Sequence, residues 1–251
     1  MTKHIRIITT HTTDVSHKMK NLEPFARHKE LKFSQVKLDK GPASIECEFD
    51  EVLASPYIIG RAMEAEQDMH DPVHAIVIDC VGDPALHAAR EAVRIPVLGA
   101  GETAMHVAAT LGHRFSVVTI MDRVRPILEN HMKMYGVYDH CASVRAVEIP
   151  VLEINKDHQR LYKLLAEEAL KAVEQDKADV IVLGCTGFVG CDKHIKDYLL
   201  ENGFDVPVVD PLPTTVMVAA ALLEASLTHS LKTYPRPPVK LRKGYSIPDI
   251  V

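Results

Sequence analysis

Two short β-branched apolar runs, each ending in a cysteine and a glycine-containing turn, constrain this chain more than any other feature. The first reads Ala75-Ile76-Val77-Ile78-Asp79-Cys80-Val81-Gly82, and the second Val180-Ile181-Val182-Leu183-Gly184-Cys185-Thr186-Gly187. Each leads into a helical pattern and then reaches another strand of matching form, Ile95-Pro96-Val97-Leu98-Gly99 and Val206-Pro207-Val208-Val209-Asp210. An apolar run of this length, bounded by turn residues, reads as a parallel strand covered on both faces. In open parallel sheets, ligands gather at the carboxyl ends of the strands. The chain therefore reads as two versions of one unit, each with a thiol where chemistry would gather.

Strand and helix patterns alternate throughout. Ile5-Arg6-Ile7-Ile8 predicts a first strand ending in the polar turn Thr9-Thr10-His11-Thr12-Thr13-Asp14. A helical stretch near Ser16 to His28 follows, then a strand around Phe33 to Leu38 and a helix from Glu51 to Met69. Pro84 to Ala92 reads as a helix with Asp83 as N-cap, and Glu102 to Leu111 as one closed by Gly112. The order then repeats: a strand at Phe115 to Thr119, a helix at Val124 to Tyr135, a strand at Val144 to Ile149 and a helix at Asp157 to Gln175. Pro211 to Leu231 reads as a closing helix, and the proline-rich tail Tyr234-Pro235-Arg236-Pro237-Pro238 as an extended arm. Such alternation means right-handed βαβ units and parallel sheets. The expectation is an α/β protein of two pseudo-symmetric lobes, each a four-stranded parallel sheet flanked by helices. Their expected limits are 1–112 and 113–213, with a helix at 214–232 packing back towards the first lobe and an arm at 233–251.

Composition narrows the function classes. The 251 residues carry an apolar share of 47% and a charged share of 25%, as an ordinary globular protein does. The net charge of −5 argues against a nucleic-acid partner, which usually calls for a basic patch. No run approaches the roughly 18 apolar residues of a membrane span, and Met1-Thr2-Lys3-His4 leads straight into a strand rather than a signal-peptide core. The expectations are a cytoplasmic location, no membrane or nucleic-acid partner, a small-molecule substrate and a homo-oligomeric assembly. Five cysteines in such a chain read as reduced thiols, with Cys47 and Cys141 in stretches without a sharp motif.

A thiol at a strand end, just before a turn and a helix, meets backbone N–H groups and the positive end of a helix dipole, which favour the thiolate. One such sulfur can remove a proton and a second can supply one. His11 sits in the turn after the first strand, on the expected active face. The hydroxyl-rich turns Thr9 to Thr13, Thr119 and Thr186-Gly187 offer donors for a carbonyl or carboxylate. A rival pattern is Gly99-Ala100-Gly101-Glu102-Thr103-Ala104, which fits G-x-G-x-x-A with Asp122 about 20 residues on, as in NAD(P)-binding turns. Cys185, Cys191 and His194 match no four-ligand metal spacing.

The stretch Ile78-Asp79-Cys80-Val81-Gly82-Asp83-Pro84-Ala85-Leu86, with Ala88-Ala89-Arg90-Glu91-Ala92-Val93, Ile95 to Gly99 and Gly101-Glu102, resembles the first half of hydantoin and allantoin racemases. Leu183-Gly184-Cys185-Thr186-Gly187 with Val206 to Asp210 resembles their second half. The resemblance, to the aspartate/glutamate/hydantoin racemase superfamily, runs from about Ile5 to Leu223. It implies a cofactor-independent racemase without a metal, with its site in the cleft between two lobes. By matching position, Cys80 and Cys185 become the two acid/base residues. Thr119 and the backbone around Val81 and Thr186 become substrate binders, beside the His11, Thr12 and Gly187 positions already singled out. Two departures stand out. The family's Asn-Pro-Asn-Thr-type turn is here Thr9-Thr10-His11-Thr12, which keeps only the threonine. Gly187 stands where amino-acid racemases carry a glutamate.

The reading is a two-cysteine racemase or epimerase acting on a small hydantoin-like, allantoin-like or amino-acid-like compound with an acidic C–H next to a carbonyl. Three alternatives remain at this point: an isomerase or lyase using one cysteine as nucleophile, a non-catalytic binding or maturation factor, and, remotely, an NAD(P)-binding protein through Gly99 and Gly101.

Overall fold

The strand β1 (Lys3–Thr9) is flanked in its sheet by β2 (Leu31–Val36) on one side and β3 (Ala75–Asp79) on the other, with β4 (Val97–Gly99) outside β3. Every pairing is parallel. The computed structural model describes residues 2–26 and 30–245. Between the strands run α1 (Glu23–Ala26), α2 (Glu48–Gln67) and α3 (Leu86–Ala92). All five residues of β3 are buried, as a run without polar alternation requires. The apolar faces of α2 and α3, including Ile58, Ala62, Leu86 and Ala89, pack with Ile8, Ile76 and Ile78 in one core cluster. Each such large aliphatic side chain contributes roughly 1.5–3 kcal/mol on burial.

The second half repeats the plan. The helix α4 (Ala100–Leu111) leads to β5 (Phe115–Thr119), followed by α5 (Arg125–Tyr135), β6 (Cys141–Ala146) and α6 (His158–Glu174). Then come β7 (Val180–Leu183), α7 (Asp192–Glu201), β8 (Val208–Val209) and α8 (Pro211–Glu224). The sheet order is β6-β5-β7-β8, again parallel, and it is the order of the first sheet shifted by four strands. The two halves are thus one topology used twice. In both, the chain leaves the first strand to one side and returns on the other, so the crevice at the carboxyl ends falls between β1 and β3, and between β5 and β7.

Several boundaries differ from the sequence reading. The stretch after β1 is a 3₁₀ turn over Ser16–Asn21 and the short α1, not one helix; the expected end at His28 lies outside the described residues. The helix α3 begins at Leu86, without Asp83 as its cap. Asp83 and Ala85 both take left-handed backbone conformations, with φ of 46° and 62°, which a helix start at Pro84 forbids. The closing helix stops at Glu224 rather than Leu231, because Ser226 turns left-handed. Its N–H and that of Leu227 bond back to the carbonyls of Leu223 and Leu222, a Schellman closure. The compact units are 1–99 with 215–251, and 100–214. The helix α4 therefore groups with the second unit, where it packs on β5 and β7, instead of closing the first at residue 112. Residues from Thr215 onward, the described part of the arm included, group with the first unit. Tyr234 of that arm stacks on His87 and takes a hydrogen bond from Arg90. The last six residues of the expected arm lie outside the described residues. No helix among the described residues is long and apolar enough to cross a membrane.

One close approach fixes the second sheet. A Cβ added at Gly184 would come within 2.7 Å of Thr119 Cβ and 2.8 Å of its Cα, so β5 and β7 tolerate no side chain there. Gly184→Ala is expected to cost about 1–3 kcal/mol by overpacking, read as a lower urea midpoint at unchanged slope.

Candidate active site

In the first unit the crevice between β1 and β3 is built from the residues that follow Thr9 and Asp79, which pair in register. Cys80 is the first residue past β3 and is half-buried. Its carbonyl accepts the N–H of Asp83, closing the tight turn. Asp79 points beneath this turn and is only 2% exposed, while Lys18, 4% exposed, reaches it with Nζ 3.2 and 3.0 Å from the two carboxylate oxygens. Thr9 Oγ1 donates to Asp79 Oδ2 and in turn accepts from Gln35 Nε2. A buried carboxylate at the end of an apolar strand thus has a buried counter-ion and hydroxyl support, as its desolvation demands.

His11 lies in the same place, buried at the end of β1. Burial and the nearby Lys18 charge hold its imidazole below the ordinary histidine range, so it is neutral at pH 7. Its Nδ1 and the hydroxyl of Thr10 are buried with no hydrogen-bond partner among the described residues. Thr12 is turned away, bonding Pro42 O through both its N–H and its hydroxyl, and Val81 is buried.

On the other flank of the Cys80 turn stands Glu51, in the first turn of α2. A Cβ added at Gly82 would lie 2.0 Å from Glu51 Oε1 and 3.6 Å from Cys80 Sγ, so the acid and the thiol border the same face of this glycine. Burial first, then the charges of Asp83, Glu48 and Asp50, push the Glu51 carboxyl up to about 8.

In the second unit Cys185 occupies the equivalent place after β7 and is half-buried. The backbone N–H of Gly187 donates to its sulfur at 3.3 Å, an arrangement that favours negative charge on sulfur. Thr119 is fully buried and donates its hydroxyl to Gly184 O at 3.1 Å. It braces the Cys185 turn from below, and its hydroxyl does not stand open at the crevice. Thr186 is buried as well, and Gly187 lies under Ile154, whose Cδ1 would be 2.8 Å from an added Cβ.

Burial pushes Cys191 up to about 12 and Cys141 up to about 11. His194 stacks on Tyr162 with ring centroids 4.2 Å apart. The G-x-G-x-x-A reading does not survive. A dinucleotide turn needs its strand, helix and next strand in one sheet, whereas β4 and β5 belong to different sheets. The Asp83 carboxylate also lies where a Cβ on Gly99 would point, against any pyrophosphate, and Asp122 is an exposed partner of Arg125.

Lys18, Asp79 and Glu51 were not singled out from sequence. Asp79 carried a usable signal, since a charge closing an apolar strand requires a partner. Lys18 and Glu51 sit among other charged residues and carried none.

The site therefore defines a class: a twice-used parallel α/β unit with a half-buried thiol at each topological switch. The Asp/Glu/Hydantoin racemase family matches residues 7–219, and the chain belongs to that family and is an enzyme of the racemase class. It is 40% identical over 208 residues to the hydantoin racemase of Rhizobium meliloti, covering 82% of this chain and 83% of that protein. Its fold superposes on the allantoin racemase from Klebsiella pneumoniae with a TM-score of 0.87 at 28% identity, over 96% of each chain. For the allantoin racemase from Pseudomonas fluorescens the TM-score is 0.84 at 31% identity, over 96% of this chain and all of that one.

Lys18→Met takes away the buried counter-ion of Asp79, and a loss of about 3–5 kcal/mol is expected. The double variant Lys18→Met, Asp79→Leu should recover most of it. Equilibrium unfolding of the three proteins reads both effects.

Proposed function

We propose that this racemase inverts a carbon that bears an acidic C–H next to a ring carbonyl, as in a 5-substituted hydantoin or allantoin, and that Cys80 and Cys185 are its two acid/base groups. The observation that carries the reading is the repeated placement of a half-buried thiol at the carboxyl end of the third strand of each unit, beside the switch point. Hydantoin and allantoin racemases among the relatives support the substrate class. Gly187 stands where the resemblance places a glutamate in amino-acid racemases, which disfavours a free amino acid.

One sulfur, as thiolate, takes the proton from one face of the carbon, leaving an enolate. The other, as thiol, delivers a proton to the opposite face, and the reverse reaction exchanges the roles. The mechanism requires the two units to present their sulfurs to opposite faces of one substrate. The Gly187 N–H on Cys185 suits that sulfur to the anionic role. Each such group contributes typically about 10²–10⁴-fold. The neutral His11, with an uncommitted Nδ1, and the Thr10 hydroxyl are suited to polar atoms of the ring. Two side chains supply all the proton traffic, so the reaction calls for no cofactor. It does require reduced thiols, which suits a cytoplasmic setting.

Polarimetry in D₂O on allantoin, several 5-substituted hydantoins and free amino acids tests the reading. Loss of rotation with one deuterium entering per inversion is expected for the ring compounds. Cys80→Ser and Cys185→Ser should each lower kcat by at least about 10²-fold. Full turnover in both single variants rejects the two-thiol mechanism, and racemisation of amino acids alone rejects the substrate class.

A further inference from the structure

We propose that Glu51 is a catalytic residue of this site: its neutral carboxyl donates a hydrogen bond to the substrate's carbonyl oxygen while the proton on the adjacent carbon moves at Cys80. The inference rests on the racemase reading above and adds the group that holds the enolate.

Three observations converge on Glu51. The first is position. Oε1 sits against the point where a Gly82 Cβ would be, and the sulfur of Cys80 lies 3.6 Å from that same point, so acid and thiol meet on one face of Gly82 in the same unit. A C–H and the oxygen of the neighbouring carbonyl are likewise adjacent in the substrate. The glycine is explained by it too, because any side chain at position 82 would displace the carboxyl. The second is lack of commitment. The carboxyl of Glu51 makes no hydrogen bond or ion pair among the described residues, while its backbone N–H donates to Cys47 O and its carbonyl accepts from Ser55 Oγ. The third is protonation. The groups facing it are Asp83 and Cys80 from the turn after β3, and Glu48 and Asp50 from its own helix. None of these is a cation, and with partial burial they push the acid up to about 8. At neutral pH Glu51 is therefore a donor with a proton to offer. An O–H aimed at a developing enolate oxygen in a partly dry site lowers the barrier far more than it tightens the ground state.

The roles balance. Cys80 and Cys185 exchange the carbon-bound proton, while the Glu51 proton is shared with the oxygen as negative charge builds there and returns when the C–H bond re-forms. No net proton leaves Glu51.

The test compares wild type, Glu51→Gln and Glu51→Leu on the ring compound that the wild type racemises. Glu51→Leu should lower kcat by about 10²-fold or more with KM changed only a few-fold, and Glu51→Gln, which keeps a donor, should recover at least about a tenth of the wild-type rate. Since only the acid form donates, the wild-type rate carries a loss as pH rises through about 8 that Glu51→Gln lacks. A second measurement needs no turnover. Folding holds the Glu51 proton above the ordinary carboxyl range, so wild-type stability falls between pH 5 and about 8, where the unfolded chain has already released it. The Tm of Glu51→Gln minus that of wild type should therefore grow across this window. A flat difference overturns the proposal, as does Glu51→Leu with full kcat or Glu51→Gln no better than Glu51→Leu. Should Glu51→Leu fail to fold, the Glu51→Gln rate and the Tm difference decide. A wild type that racemises nothing removes the racemase reading and this inference together, whereas an active wild type with an indifferent Glu51 removes only this one.

Discussion

Parallel pairing of a central strand with neighbours reached in opposite directions is the constraint from which the rest follows. In each sheet the chain turns to one side after the first strand and to the other after the third. The connections then part at the carboxyl ends, where the backbone leaves a crevice. Whatever residue follows the third strand is set at its rim. In this protein that residue is Cys80 in one unit and Cys185 in the other.

The two rims are held differently, although their topology is one. Beneath Cys80 lies an ion pair almost sealed from water, with Lys18 and Asp79 supported by Thr9 and Gln35. Beneath Cys185 the same task falls to a neutral contact, the Thr119 hydroxyl on the Gly184 carbonyl, across an approach too tight for any side chain. The support beneath one sulfur is an ion pair, and beneath the other it is a neutral hydrogen bond. The amide of Gly187 on Cys185 adds a further difference. Backbone strain is unequal as well. Asp83 and Ala85, both left-handed, lie in the turn that carries Cys80, whereas the residues from Cys185 to Phe188 settle into a 3₁₀ turn. Non-glycine residues in that conformation cost of order 1–3 kcal/mol each and persist where surrounding structure holds them.

Much of the fold was legible in the residues. Runs such as Ile76-Val77-Ile78 and Ile181-Val182-Leu183 bury on both faces as read, and Asp157 caps its helix by accepting the Arg160 N–H. The misread boundaries share a cause. Left-handed turns at Ala85 and Ser226 are made by residues with no leaning to that conformation, and aspartate at Asp83 has only a modest one, so the sequence does not announce them. The division between units at 99 and 100 escaped for a related reason. A helix that follows a strand without any loop looks like the continuation of one βα unit, and only its packing on β5 and β7 reveals the other allegiance.

Sequence alone determined what depends on neighbours along the chain: alternating strands and helices, two parallel sheets of four, and a cysteine closing the third strand of each. Those features follow from periodicity and turn chemistry, which act over a few residues. Tertiary structure decided what depends on residues far apart in the chain. It brought Lys18 against Asp79, set Glu51 over Gly82 beside Cys80, and turned Thr119 inward as a brace. The physical reason is desolvation. A charge or hydroxyl among other polar residues in the chain reads as surface, and only folding shows which of them has been taken out of water and what it must face there.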